Sequence, residues 1–275
     1  AKAIEKLRSM RINIGYPDKW QNMEEYVQID ESKSLRANYD EIIPALRRRS
    51  LEKKWRKPVD KTVFACNPQM VNAFYAPTFN SINFPAAILQ APFFDAEADD
   101  AANYGAIGAV IGHEMSHGFD DQGAQFDKNG NQHDWWTAAD KKNFEARTKI
   151  LVDHFNKIEL AGKKVNGQMT LGENIGDNGG LNIAFRALQN VMKTEKLGVK
   201  DGFTPEQRFF LAWARVWAGN ARPEYLQYLM TVDVHSPNEA RVNGALPMVD
   251  SWYKAFNIKK GDKLFVPKSK RAHIW

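Results

Sequence analysis

Two short segments of the 275-residue chain carry residue types at spacings that could do chemistry. In Ile107-Gly108-Ala109-Val110-Ile111-Gly112-His113-Glu114-Met115-Ser116-His117, two histidines stand four apart behind an apolar run. On a helix such residues lie one turn apart on the same face, so both imidazoles can reach one cation at the ~2.0–2.1 Å of a Zn–N bond. Glu114, one step round, is placed to touch a water on that cation rather than the cation itself. In Leu171-Gly172-Glu173-Asn174-Ile175-Gly176-Asp177, two carboxylates four apart begin a second helix near Thr170. We assign Glu173 to the metal, completing a two-histidine, one-glutamate set with a position left for water, and Asp177 to accept an N–H from a ligating histidine.

Each segment alone is ambiguous. Two histidines and a glutamate meet this spacing by chance in many chains, and an acidic helix start is also what the helix dipole favours. Together they predict one Zn2+ per chain, with Glu114 as general base taking a proton from the activated water and passing it to a leaving amine.

These residues need elements to hold them. Residues 1–57 read as helical and highly charged, with a stop at Gly15, a turn through Tyr16-Pro17-Asp18 and a restart behind Ser32 as N-cap. From Thr62 to Leu89, aromatic and β-branched runs broken by Pro68, Pro77 and Pro85 read as a few strands, the one strong β signal. Helical patterns follow over Ala101–Asp120, Thr137–Ile158, Leu171–Met192 and Pro205–Ala218, with shorter pieces beyond Pro237 and Pro247. The class is α+β, mainly α: a small sheet packed on helices that carry the polar clusters. Trp135-Trp136 reads as core. Asp127-Lys128-Asn129-Gly130-Asn131 reads as a turn, since it lacks the spacing and closing glutamate of a calcium loop.

Composition sets further bounds. A net charge of +5 is spread over helix faces, which argues for solvated surfaces and no nucleic-acid partner. No apolar stretch approaches the ~20 residues of a membrane span. Cys66 is the single cysteine and no Asn-x-Ser/Thr acceptor occurs, a pattern that fits a bacterial protein better than a secreted animal one. Ala3, Ile4, Leu7 and Met10 lie at helical spacing with no initiator Met before them, so the chain is expected to begin inside a helix of something longer.

HExxH with ExxxD, together with Val71-Asn72-Ala73-Phe74-Tyr75 before it and Asp233-Val234-His235-Ser236-Pro237-Asn238-Glu239-Ala240-Arg241 after it, resembles the neprilysin (M13) family of zinc endopeptidases, which includes bacterial PepO-type peptidases. The match runs from about Ile14-Gly15-Tyr16-Pro17 to Trp275 and covers the C-terminal part of the family's usual length. The resemblance implies a thermolysin-like zincin catalytic domain over 58–275, with residues 1–57 as the helical end of a covering domain and its linker. Expected partners are peptide substrates and the missing N-terminal part of the same protein. No cysteine precedes the final Trp, which favours a bacterial member in an extracytoplasmic place. Gly176 stands where relatives often have Ala, read as a small change.

The resemblance also suggests roles. Asp120 orients a zinc histidine. His235, which as a lone histidine reads more often as structural, is by the resemblance the group that stabilises the oxyanion, with Glu114 and Asp177 completing the catalytic set. Arg241 binds a substrate carbonyl, and Asn72 and Ala73, on an exposed strand, hold an extended peptide. Ile88, Phe93, Val110 and Trp217 line a pocket for a large apolar residue after the scissile bond, although core packing explains these four as well. Two other readings stand beside this one: a non-catalytic zinc-binding fragment that needs its missing domain, and a zinc aminopeptidase, for which no amine-binding motif is found.

Overall fold

The helical pattern expected over residues 1–57 breaks into α1 (Lys2–Arg8), a strand β1 (Arg11–Gly15) and α2 (Leu35–Lys54). Arg-Ile-Asn-Ile-Gly alternates polar and β-branched residues, the period of a strand. It finds its partner in a second β segment, β2 (Phe74–Ala76) and β3 (Ser81–Pro85). In the sheet order β1-β3-β2, β1 runs parallel to β3 and β2 antiparallel to it. The β signal therefore extends beyond residues 62–89, and residues 62–64 within that span form no strand. In this computed structural model, residues 2–20, 22, 24, 27–64 and 66–274 are described; the terminal Trp275, where the family resemblance ends, lies outside them. The cap of α2 is Ser34, which accepts from the Ala37 amide, whereas Ser32 folds back on Asp30.

The remainder is helical. A run from α3 (Asp100–Asn103) through a π-helical turn at Tyr104–Gly108 leads into α4 (Ala109–His117), three residues short of the expected end. Then come α5 (Ala138–Phe155), a hairpin of β4 (Glu159–Leu160) and β5 (Lys163–Lys164), and α6 (Leu171–Val191). The chain continues through α7 (Pro205–Val216), α8 (Pro223–Val232), α9 (Asn238–Asn243) and α10 (Asp250–Phe256). Helix α8 carries no assignment in the sequence reading. Its N-terminal Pro223 is nonetheless a start signal.

Three apolar clusters form the core, two of them against α4. Ile82, Phe84, Ile88 and Val110 join the sheet to it. Leu181, Phe209, Phe210 and Trp213 pack α6 on α7, and Leu151, Phe155, Ile175 and Met230 pack α5 and α8 on the start of α6. Trp135 and Trp136 belong to none of these clusters and are half-buried, so the core reading of that pair is corrected. Trp135 Nε1 instead donates to the Phe126 carbonyl.

α4 and α6 approach closely because both carry glycine at the crossing. A Cβ on Gly112 would stand 2.9 Å from Gly180 Cα, and one on Gly180 would stand 2.3 Å from the Ala109 carbonyl oxygen. This closeness brings the histidine face of α4 against the carboxylates of α6. Among the described residues no helix is long and apolar enough to cross a membrane.

Candidate metal centre

The helical spacing does what it predicts. His113 Nε2 and His117 Nε2 face each other at 2.9 Å, and Glu173 Oε2 lies 3.2 Å from the first and 3.5 Å from the second. Ligand atoms on a tetrahedral ion with bonds of ~2.0–2.1 Å stand ~3.3 Å apart. The three atoms thus already form one face of such a tetrahedron.

The proton positions also follow. His113 Nδ1 is 2.8 Å from Asp177 Oδ1, and His117 Nδ1 is 2.6 Å from Asp120 Oδ2. A carboxylate accepts only, so each Nδ1 carries the donated hydrogen and each neutral ring turns its Nε2 lone pair to the shared point. Glu173 Oε2 is buried there without a hydrogen-bond partner. Two lone pairs and an orphaned carboxylate oxygen at this spacing repel one another unless a cation or protons stand between them. Two nitrogens and one oxygen suit zinc.

Electrostatics agree with that geometry. Burial and mutual repulsion pull the His113 pKa down, yet the nearby Asp177 and Glu173 carboxylates outweigh them and it ends raised. His117 is likewise opposed by burial and raised well above its ordinary value by Asp120 and Glu173. Burial would raise Glu173, but the two imidazoles win and hold it far below the carboxylate range. Glu114, buried beside these groups, is raised by that burial, the direction a general base working near neutrality needs.

Asp177 is fully buried, and Arg241 clamps it from the other side. Arg241 Nε stands 2.9 Å from Oδ2 and an Nη 2.6 Å from Oδ1. The guanidinium also stacks 3.7 Å above the Trp217 ring. Arg241, expected as a substrate contact, is therefore also part of the wall that fixes His113. Gly176 sits behind the same ring: a Cβ there would meet His113 side-chain atoms at 2.7 Å, so with alanine at this position the ring and α6 must shift apart.

A cleft of about 650 Å³ opens onto the metal-facing atoms. All the expected substrate residues line it: Asn72, Ala73, Ile88, Phe93, Val110, Trp217 and Arg241. Ile88 and Val110 belong to the core as well, so the two readings of these positions hold together. Asn72 and Ala73 lie just before β2 rather than in the ladder, and the Ala73 amide is taken by the Asn72 side chain at 2.9 Å. β2 is an edge of the sheet, as an added peptide strand requires.

His235 stands half-exposed on the rim, with Nε2 3.3 Å from Glu173 Oε2 and Nδ1 2.8 Å from Asp233 Oδ1. Asp233 escaped the sequence reading, although Asp-x-His invites such a contact. The buried pair of Ser236 Oγ and Asn174 Oδ1, 2.8 Å apart, pins the His235 loop to α6 and carries no recognisable sequence signal. As expected, Asp127 accepts the Asn129 and Asn131 amides in a closed turn.

Residues 72–272 match the profile of Peptidase family M13. The chain is similar to a neutral endopeptidase of Lactobacillus helveticus, 39% identical over all of this chain and 40% of the relative. It is also 39% identical to human neprilysin, over 100% of this chain and 38% of that protein. Among solved structures, the zinc metalloprotease Zmp1 of Mycobacterium tuberculosis in complex with an inhibitor superposes with a TM-score of 0.93 at 43% identity, covering 100% of this chain and 42% of that one. PepO of Lactobacillus rhamnosis gives 0.89 at 35% identity. The chain spans about 40% of the length of these relatives.

Proposed function

The chain belongs to Peptidase family M13, and from that premise we propose that it is the catalytic part of a zinc-dependent endopeptidase acting on oligopeptides. The observation that carries this reading is the convergence of two carboxylate-oriented imidazoles and one orphaned glutamate oxygen on a single point beside a buried glutamate.

His113, His117 and Glu173 would hold the ion. Zinc supplies Lewis-acid activation of water and of the substrate carbonyl. Glu114 takes the proton of the attacking water and returns it to the departing amine. His235 donates from Nε2 to the carbonyl oxygen as it becomes negative; with Nδ1–H on Asp233, this requires the doubly protonated ring. Arg241 keeps Asp177 charged and in place, and its remaining donor capacity faces the cleft for a peptide carbonyl. The edge of β2, with Asn72 and Ala73 leading into it, receives the extended peptide, and the Asn72 side chain releases the Ala73 amide when it does. Ile88, Phe93, Val110 and Trp217 favour a large apolar residue after the scissile bond.

The remainder of the same protein is the partner this reading requires. Ile12, Ile14, Tyr16 and Trp20 are exposed together, an apolar surface of the kind another domain covers. Residues 2–15 share the sheet and the Lys6 contacts of the catalytic body, so for function we set the boundary of the catalytic unit before them rather than at residue 57.

The test is cleavage of a quenched fluorescent peptide with an apolar residue after the scissile bond, with zinc content measured on the same samples. Glu114→Gln should lose about a thousandfold or more in turnover at unchanged zinc. Bound zinc with no turnover in the unmodified chain would instead favour a fragment that needs its covering domain. A chain that takes up no zinc would end the reading.

A further inference from the structure

Lys6 is a charged residue that the fold buries almost completely, at 1% exposure, and no step of the reaction uses it. It lies on α1, far in sequence from the metal ligands. Its Nζ donates to three backbone carbonyls, those of Gly118 at 2.6 Å, Gly123 at 2.7 Å and Phe126 at 2.6 Å. An ammonium has three N–H bonds, and all three are used. The rings of Tyr75, Phe119 and Trp135 surround it at 5.6–5.8 Å from Nζ to centroid. The backbone of Lys6 is fixed in turn, since the buried Asn80 donates its Nδ2 to the Lys6 carbonyl at 3.1 Å and receives the Tyr75 hydroxyl at 2.9 Å.

The three carbonyls belong to the loop that leaves the C-terminus of α4. That loop contains Asp120, whose Oδ1 accepts the Gln122 and Gly123 amides while its Oδ2 holds His117 Nδ1. The loop thus has two internal anchors, the Asp120 carboxylate gathering its amides and the Lys6 ammonium gathering its carbonyls. Burial pulls the Lys6 pKa down to about 8, opposed by the Asp120 and Asp127 charges. A cost of that kind is retained where the group fixes a geometry.

We infer that Lys6 is a positioning residue of the metal centre: by tying Gly118, Gly123 and Phe126 together it fixes the loop that sets Asp120 on His117. The inference rests on the metal reading above and extends it to an element at the opposite end of the chain. It explains why α1 and β1 belong to the catalytic body, and it makes zinc affinity, rather than turnover alone, the property that depends on α1.

The experiment measures zinc dissociation constants by competition with a chromophoric chelator for the unmodified protein, Lys6→Met, Asp120→Ala and the double variant, with melting temperatures in parallel. Lys6→Met is expected to weaken zinc roughly tenfold, the lower range for removing an orienting partner. In the Asp120→Ala background the same change should cost less than about twofold, because its route to the metal is already cut. Lys6→Arg covers the case in which Lys6→Met does not fold. It keeps the charge, but its planar fork cannot serve three carbonyls around one point, so it too should weaken zinc several-fold. Unchanged zinc affinity in the folded variants, whatever their melting temperature, would make Lys6 a purely structural residue and overturn the inference. Equal losses with and without Asp120 would overturn it as well. If the unmodified protein bound no zinc, the metal reading itself would fall, and this inference with it.

Discussion

The two sides of the cleft are built differently. On the α4–α6 side each histidine has a second group behind it: Asp177 behind His113, with Arg241 behind Asp177 in turn, and Asp120 behind His117. On the facing rim, His235 is half-exposed between the Asp233 and Glu173 carboxylates, and Asn72 is exposed with only a neighbouring amide to bind. The first side is pre-assembled and resists change. The second leaves its side chains open to solvent, which suits the peptide binding proposed for it. Rigidity is thus concentrated on His113 and His117, where holding a metal would need sub-ångström placement, and relaxed on the rim, where the proposed substrate would lie.

This contrast makes substitutions on the two sides fail in different ways. Arg241→Ala leaves the buried Asp177 without its ion pair and should cost about 3–5 kcal/mol of stability, read from urea denaturation; a loss confined to turnover would show that the wall is less preassembled than its geometry. His235→Ala should do the reverse, lowering kcat by roughly 10²–10³-fold, as for a lost oxyanion donor, while stability stays within about 0.5 kcal/mol. A matching drop in melting temperature would remove the distinction between rim and wall. Gly180→Ala puts a methyl 2.3 Å from the Ala109 carbonyl, a backbone atom that cannot turn away, and should cost about 1–3 kcal/mol. Gly176→Ala meets only an imidazole edge, so zinc affinity should fall more than stability does.

The smallest expected effect is the pH response of metal retention. His113 and His117 both bind protons more tightly than an ordinary imidazole, because burial is outweighed by their carboxylates. Protons compete with zinc for the same Nε2 atoms. Zinc retention at fixed chelator should therefore already decline as pH falls through the region above about 6.5, the ordinary histidine value. Metal content across a pH series checks this, and a decline beginning only well below that value would mean the carboxylates do not act on the rings as placed.

The cluster of His113, His117 and Glu173 was legible in the sequence because its geometry is local. Histidines four apart on a helix share a face wherever that helix goes, and Glu173 with Asp177 repeats the spacing on its partner. The same holds for the helical bodies of α5, α6 and α7, whose periodicities placed them within a few residues of their ends. Strand β1 was misread because the helical spacing of the first ten residues runs directly into five residues whose strand character is settled by a partner, β3, far along the chain. Trp135-Trp136 was misread because apolar size alone does not reveal whether a core passes by.

What the sequence determined by itself, then, is which residues can gather at one metal ion: contacts within a helical turn depend on spacing alone. What only the tertiary structure decided is what stands behind them. The clamp of Arg241 on Asp177, the glycine crossing that leaves no room for a methyl between α4 and α6, and the seat of Lys6 among three carbonyls all join positions far apart in the chain. No periodicity records such meetings, because they are fixed by the packing of whole elements rather than by the conformation of any one of them.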